Sequence, residues 1–263
     1  MRGLCLLWLS LVVQFASAMP LHADETPATP AEIRRHPLPD EERSQLKQKW
    51  DDAIAELSKT LEAQPDDIPS LSKRGDFFFF RGDFAKSVRD YERMCEVDSK
   101  VEASHWRLGI AYFYADQADK SAKLFDQFFQ TDNVDRECGL WKFVGDAKVH
   151  GAEKARERLL KYSTTDREPL PTIYRLFEGQ STPDELLTSI RAADLSDTVR
   201  EQRLFYVELY IGLWHDAHKQ PNDALPHLRA ATANRWPRSA GYGPNYMWHV
   251  ARLHYERLAE KQK

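Results

Sequence analysis

The stretch that decides the fold runs GDFFFFRGDFAKSVRDY from Gly75 to Tyr91, and GIAYFYADQADKSAKLF follows from Gly109 to Phe125. Each stretch opens with a glycine, and a serine and then an aromatic residue follow at the same offsets, with no insertion between the two copies. Small residues let two helices approach closely, and large residues fill the layer beneath them. We therefore predict consecutive antiparallel pairs of α-helices.

The same register extends towards both ends of the chain. The first helix of a pair is predicted to carry Gly75, Gly109 and Gly212 as its small residue, and the second to carry Ala53, Ser87, Ser121 and Ala224. Helices are predicted to stop near Pro65, Ser99 and Asn133, where the next repeat must begin. Asp40 to Gln64 lacks an internal breaker and is predicted to form one long helix or a half-repeat.

The rest of the chain is predicted to be helical but less regular. Residues 43–135 are assigned to N-terminal repeats, 136–200 to degenerate repeats, and 201–260 to a C-terminal repeat with a capping helix. In the middle segment we predict helices at Leu140 to Val149, Ala152 to Tyr162 and Leu170 to Glu178, and a capping box from Thr182 to Glu185. In the C-terminal segment we predict a loop at Trp236 to Pro244 and a last helix capped by Asn245.

The N-terminus has the pattern of an export signal. Arg2 precedes the apolar stretch Leu4 to Val13, and Ala16-Ser17-Ala18 supplies small residues for cleavage. We predict a signal peptide at residues 1–18, with 23 as an alternative end, and a disordered Pro-rich segment at 24–42. The predicted location is periplasmic or secreted, and no second apolar segment is long enough to span a membrane.

Composition limits the kinds of partner. The formal charge of −4 and pI near 6.2 lack the basic footprint of a nucleic-acid binder. Apart from Cys5 in the signal, the cysteines are Cys95 and Cys138. We favour two free thiols over a disulfide, because a helical array would place Cys95 and Cys138 in non-adjacent layers. No cofactor is predicted.

Equivalent residues recur at the spacing from Gly75 to Gly109, and in this the chain resembles tetratricopeptide repeats. The matching residues are Leu71, Gly75, Phe78, Phe84, Ser87 and Tyr91, then Gly109, Tyr112, Ser121 and Phe125, and later Gly212, Ala224, Leu228 and Ala231. The order of parts further resembles periplasmic adaptors of the NlpI type, through Leu140 to Phe143, Ile173 to Leu187 and Phe205 to Trp236. That resemblance implies an envelope scaffold, often dimeric, that delivers substrates to a protease or gathers peptidoglycan hydrolases. No lipid anchor is predicted, because too few residues precede Cys5, and in this the chain departs from the anchored members of that family.

In this fold class the first helix of each repeat lines the concave face. The predicted protein-binding residues are Asp76, Phe79, Phe80, Trp106, Ile110, Phe113 and Tyr114. Two alternatives stay open at this point. An aromatic groove suits an apolar peptide or helix of a partner, but an apolar helix is also commonly buried by its own chain, here by the Pro-rich segment or the last helix.

Catalytic patterns are weak, and no enzyme is predicted. His215 and His218 lie three residues apart with Glu208 about two turns away, but a metal site needs three or four convergent ligands. Cys138 and His150 lack an orienting third group. The alternative function is a small enzyme or metal-binding protein that uses the degenerate middle segment or the His215/His218 region.

Overall fold

A computed structural model describes residues 36–262, and every regular element within them is helical. The α-helices are α1 (Asp40–Ala63), α2 (Ile68–Arg81), α3 (Phe84–Val97), α4 (Trp106–Tyr114), α5 (Ala118–Thr131), α6 (Arg136–His150), α7 (Ala152–Glu157), α8 (Leu170–Phe177), α9 (Pro183–Ala192), α10 (Asp197–Ala217), α11 (Pro221–Ala233), α12 (Trp236–Ser239) and α13 (Tyr242–Glu260), with a 3₁₀ helix at Ser99–Ser104. The all-α prediction is confirmed, and none of these helices is long and apolar enough to cross a membrane.

The predicted signal peptide and residues 24–35 lie outside the described residues. The predicted disordered segment extended to residue 42, but α1 begins at Asp40. Asp40, Glu41 and Glu42 form the first turn of α1, where carboxylates interact favourably with the unpaired N–H groups of a helix N-terminus. That start also makes Asp40 to Ala63 the single long helix expected from the sequence.

Helix ends repeat with the period found in the sequence. Helices α1, α3 and α5 end at Ala63, Val97 and Thr131, and the interval between these ends equals the one from Gly75 to Gly109. The turns within three helix pairs also correspond, because Gly82, Asp116 and Lys219 all have positive φ angles of 88°, 61° and 61°. Each lies seven residues after the glycine of its pair, so the predicted register of Gly75, Gly109 and Gly212 matches the turns of the structure.

The three glycines hold their helix pairs at close approach. A Cβ atom would lie 2.5 Å from Tyr91 at Gly75, 2.6 Å from Phe125 at Gly109, and 2.6 Å from Leu228 at Gly212. These distances are too short for any side chain, so only glycine allows the large residue of the second helix to sit there. The predicted small positions Ser87, Ser121 and Ala224 are fully buried beside these contacts, whereas Ala53 in α1 is only partly buried.

The middle segment confirms one predicted boundary and corrects another. Thr182 and Glu185 form the predicted capping box at the start of α9. Helix α7 was predicted to reach Tyr162 but ends at Glu157. Beyond it the chain buries Leu159 and Leu160 together, and a side chain from another helix binds a freed carbonyl, since Lys142 Nζ donates to Arg158 O at 3.0 Å.

The C-terminal boundary differs from the prediction. Residues 236–244 were predicted to form a loop, but they contain α12 and the first turn of α13, so Asn245 lies inside a helix and does not cap it. Gly241 is the residue before α13 and has a φ of 110°, which glycine adopts easily. Pro244 is tolerated because the first turn of a helix does not need its N–H group.

Helix α13 is the central helix of the fold. It packs against α11 and α12 and also reaches back to α2, far earlier in the chain. Every residue from Tyr246 to Tyr255 is buried. A surface helix would bury one stripe, so this helix fills the space between the N-terminal and C-terminal helix pairs.

Candidate functional site

The predicted binding face is occupied by the protein's own last helix. Asp76, Phe79, Phe80, Phe113 and Tyr114, which we call the filled groove, are all at most 7% exposed. Of the two alternatives left open by the sequence, the burial of these five residues favours the one in which the last helix covers them. Of the remaining two predicted residues, Ile110 is buried and Trp106 is partly buried.

Ring contacts between α2 and α13 seal the filled groove. Phe79 stacks on Tyr246 with ring centroids 4.9 Å apart, and Phe80 stacks on His249 at 4.0 Å. Burial lowers the pKa of His249 well below its usual value, and the charge of Arg252 lowers it further. The imidazole is therefore neutral at pH 7 and packs as an aromatic ring.

Polar contacts fix both ends of α13 in the groove. Asp76 accepts hydrogen bonds from Tyr91 at 2.5 Å, from Arg107 at 2.7 Å and from Tyr242 at 2.7 Å. Thus Asp76, predicted to contact a partner, instead holds the first turn of α13. Towards the other end of that helix, the ring nitrogens of His254 lie 2.9 Å from Tyr114 Oη and 3.1 Å from Asp216 Oδ2.

Next to the filled groove lies an open cleft of about 440 Å³, which we call the acidic cleft. It is bounded by α4, the start of α6, the segment before α8, α10 and the α12–α13 corner. Its aromatic lining comes from Trp106, Phe125, Trp141, Tyr206 and Trp236, and its charged lining from Asp135, Glu137, Arg167 and Glu168. Of the predicted contact residues, Ile110 and Trp106 line this cleft.

One guanidinium forms ion pairs with several carboxylates at the charged end of the acidic cleft. Arg167 lies 2.6 Å from Glu137, 3.5 Å from Asp135 and 3.4 Å from Asp166. The side chain of Asp166 is only 4% exposed and accepts hydrogen bonds from two backbone N–H groups, those of Arg136 and Arg167. Three carboxylates thus surround one cation, which leaves this end of the cleft with excess negative charge.

The carboxyl pKa values reflect this imbalance. Burial raises the pKa of Glu137 to about 7, and the charge of Asp135 adds to the rise while Arg167 and the Tyr210 hydroxyl oppose it. Burial likewise raises the pKa of Asp135, against the effect of Arg167. The single guanidinium therefore does not compensate for the burial of two neighbouring carboxylates.

Both oxygens of Glu137 already accept hydrogen bonds. Tyr210 Oη donates to Oε1 at 2.7 Å, and Arg167 Nη2 donates to Oε2 at 2.6 Å. A carboxylate oxygen has room for a second donor, so each can still receive one from a ligand. The arrangement suits recognition of a donor better than proton transfer to a substrate.

The acidic residues of the cleft were missed in the sequence, although a signal for them exists. The tripeptide Asp-Arg-Glu occurs at residues 135–137 and again at 166–168. In the fold the two copies interlock, since Arg136 N donates to Asp166 and Arg167 pairs with Glu137. Each copy alone resembles an ordinary helix start, and only the contact between the two copies creates the site.

The second feature of the cleft is an unpaired donor. Trp141 lines the cleft and is 2% exposed, and its Nε1 atom has no hydrogen-bond partner among the described residues. A buried N–H group without an acceptor is unfavourable by roughly 1–3 kcal/mol. The Nε1 atom itself is covered, so an acceptor in the cleft reaches it only if the indole ring shifts.

The histidines singled out in the sequence do not converge. His215 Nδ1 lies 2.8 Å from Gln220 Oε1, whereas His218 Nδ1 lies 2.7 Å from the carbonyl of Trp214, and Glu208 contacts His227 at 2.7 Å. No group of three histidine, cysteine, aspartate or glutamate residues in the described chain is arranged to hold a metal ion.

The two cysteines of residues 36–262 are free, Cys95 partly buried and Cys138 buried. Burial raises the pKa of the Cys95 thiol to about 11 and raises that of Cys138 further. Both are therefore protonated at neutral pH, which makes them poor nucleophiles.

The sequence was also compared with models of known protein families. None of them matches this chain.

Proposed function

We propose that this protein is a non-catalytic adaptor of the tetratricopeptide-repeat type that binds a segment of another protein in the acidic cleft. Support for the repeat type comes from three helix pairs that share one register. In each, a glycine faces a large residue sixteen positions later, and a residue with positive φ ends the first helix. Stacked helix pairs of this kind are widely used as binding scaffolds.

The main support for a binding role is that the cleft is open, whereas the groove beside it is covered. The protein covers most of its aromatic concave surface with α13, yet leaves about 440 Å³ open beside Trp106, Trp141 and Trp236. Ligand sites are commonly clefts of about 300–1,000 Å³ with apolar walls and a few placed polar groups. A space of this size accommodates two or three side chains of a peptide.

The cellular setting is proposed from the sequence. The signal pattern at residues 1–18 supports a periplasmic or secreted adaptor. The NlpI-type resemblance supports partners such as an envelope protease or a peptidoglycan hydrolase, and assembly as a homodimer. We propose no cofactor and no nucleic-acid partner, in keeping with the acidic pI near 6.2.

Binding is favoured over catalysis by the state of the reactive groups. Burial raises the pKa of Glu137 to about 7, but both its oxygens are held by Tyr210 and Arg167. Cys138, the thiol in the lining, is protonated and buried. We therefore propose that the cleft positions a ligand without transforming it.

The test is to select random dodecapeptides displayed on phage against the full-length chain and to measure the enriched peptides by fluorescence anisotropy. Gly243 lines the cleft, and a Cβ atom added there meets nothing within 4 Å. The series Gly243→Ala, Gly243→Leu and Gly243→Trp therefore fills the cleft stepwise without crowding the core. We expect the leucine and tryptophan variants to bind at least tenfold more weakly, about 1.4 kcal/mol, and the alanine variant to bind like wild type.

Thermal melts of the three variants serve as the control for folding. The proposal is wrong if the selection enriches no peptide, or if Gly243→Trp binds the enriched peptides as tightly as wild type.

A further inference from the structure

The charge imbalance of the acidic cleft indicates what kind of peptide it takes. We propose that the cleft selects a partner segment in which an apolar side chain is followed closely by a lysine or arginine, the apolar group lying against the tryptophans and the cation between Asp135 and Glu137. This inference rests on the proposed function and specifies its ligand.

The first argument is charge complementarity. Asp135, Glu137 and Glu168 line the cleft, and among the described residues Arg167 is the one cation in its lining. The Arg167 side chain is 54% exposed, whereas those of Asp135 and Glu137 are 28% and 18% exposed. The carboxylates therefore lie in the wall of the cleft, while the guanidinium that pairs with them is the more exposed group. The cation of a ligand would share these carboxylates with Arg167.

The second argument comes from the free lone pairs at the same place. Glu137 accepts one hydrogen bond at each oxygen, and Asp135 Oδ1 accepts from the backbone N–H of Glu137 at 3.0 Å. An ammonium or guanidinium group brings three to five donors and no acceptor. Such a group satisfies the remaining lone pairs and brings a positive charge, whereas a neutral donor brings no charge and an anionic group is repelled.

The third argument is the unpaired indole of Trp141. Its Nε1 atom lacks an acceptor among the described residues, and the ring is 2% exposed in the cleft lining. An extended peptide supplies a backbone carbonyl at each residue, so one segment can offer an acceptor to the indole, once the ring turns towards the cleft, and donors to the carboxylates. A free amine or a metal cation would satisfy only the carboxylates, which is why the occupant is a peptide.

The proposal predicts that the affinity for a cationic peptide depends on pH through Glu137. Glu137 faces Asp135 beside its own helix, Arg167 and Asp166 before α8, and Tyr206 and Tyr210 on α10. Because its pKa is raised to about 7, lowering the pH from 8 to 6 protonates it in the free protein and removes one negative charge. Binding of a cationic peptide must then weaken as the pH falls.

The experiment uses the dodecapeptides enriched on the full-length chain and synthetic versions in which each lysine or arginine is replaced by glutamine. We expect the glutamine versions to bind at least tenfold more weakly at pH 8, and their affinity to be unchanged between pH 6 and 8. The variant Glu137→Gln should weaken the preference, since Asp135 keeps its charge, and should remove the pH dependence. Glu62→Gln, the same charge change at an exposed position of α1, should preserve both.

The outcomes separate this inference from the proposed function. If peptides bind and Gly243→Trp abolishes binding, but glutamine replaces lysine without loss, the cleft binds peptides and the cation preference is wrong. If no peptide depends on the cleft, the proposed function itself fails. A synthetic peptide of residues 29–38, which contains Ile33, Arg34 and Arg35, is included. If it binds more tightly than every selected peptide, the chain's own segment is the occupant and the partner assignment is overturned.

Discussion

The filled groove and the acidic cleft are neighbouring parts of one concave surface, yet the groove is covered by the last helix and the cleft is open. In the groove, Phe79 and Phe80 contact rings of α13, and the one predicted charged residue, Asp76, accepts hydrogen bonds from three side chains of the protein. In the cleft, aromatic rings border open space, and the carboxylates share one guanidinium. An aromatic surface alone therefore does not identify a binding site, because one part of this surface is covered by the chain's own last helix and the other part borders open space.

Two glycine substitutions test first how a packed helix pair differs from the open cleft. At Gly109 a Cβ atom would lie 2.6 Å from Phe125, so Gly109→Leu must displace a buried ring and should lower the free energy of unfolding by about 1–3 kcal/mol. Urea denaturation measures this. Gly243→Leu, at the cleft, is the matched control and should leave stability unchanged or slightly raised, because the added side chain meets open space and favours the helix.

Equal stability of Gly109→Leu and wild type would show that the two helices of this pair do not approach each other closely. A large loss in Gly243→Leu would show that the cleft is part of the core.

The repeat register and the helix pairs could be predicted because they depend on local spacing. The offsets between Gly109, Ser121 and Phe125 define which residues meet inside one pair, and no distant part of the chain is needed to determine them. For the same reason the capping box at Thr182 and the long helix from Asp40 were predicted correctly. The start of α13 was missed because Gly241, two residues before Gly243, was read as part of a loop.

The candidate site could be predicted only in part because it depends on contacts between distant elements. Trp106 and Ile110 were identified from the repeat register, but the neighbouring Phe79 and Phe80 are covered by a helix that begins only at Tyr242. Likewise, Glu137 and Arg167 look like ordinary surface charges until the two Asp-Arg-Glu segments meet. Neither contact leaves a periodic pattern in the sequence.

The second prediction uses pH, to which the two regions should respond with opposite signs. In the filled groove the pKa of His249 is lowered, so the unfolded chain binds a proton more readily than the folded one. Its contribution to stability is present above the unfolded pKa near 6.5 and is lost as the pH falls below it, by up to about 1.4 kcal/mol per pH unit. His105, whose pKa burial lowers to about 3, adds to the same trend.

In the acidic cleft the sign is reversed. The pKa of Glu137 is raised from 4.5 to about 7, so the folded protein binds the proton more readily and its contribution is lost as the pH rises from 4.5 to 7. Unfolding free energies at pH 5, 6, 7 and 8 should show that His249→Phe lessens the loss of stability on acidification. Glu137→Gln should lessen the loss of stability as the pH rises from 5 to 7. Unchanged pH profiles in both variants would contradict these assignments.

The central claim, that the acidic cleft binds a partner while the filled groove stays closed, is tested most directly by hydrogen exchange of the full-length chain with and without a selected peptide. We predict slower amide exchange at residues 134–138, 166–170 and 236–244 when peptide is bound, and no change at residues 76–80 and 248–258. Protection at residues 76–80, or faster exchange at 248–258, would mean that the partner displaces α13 from the groove, which would contradict the account.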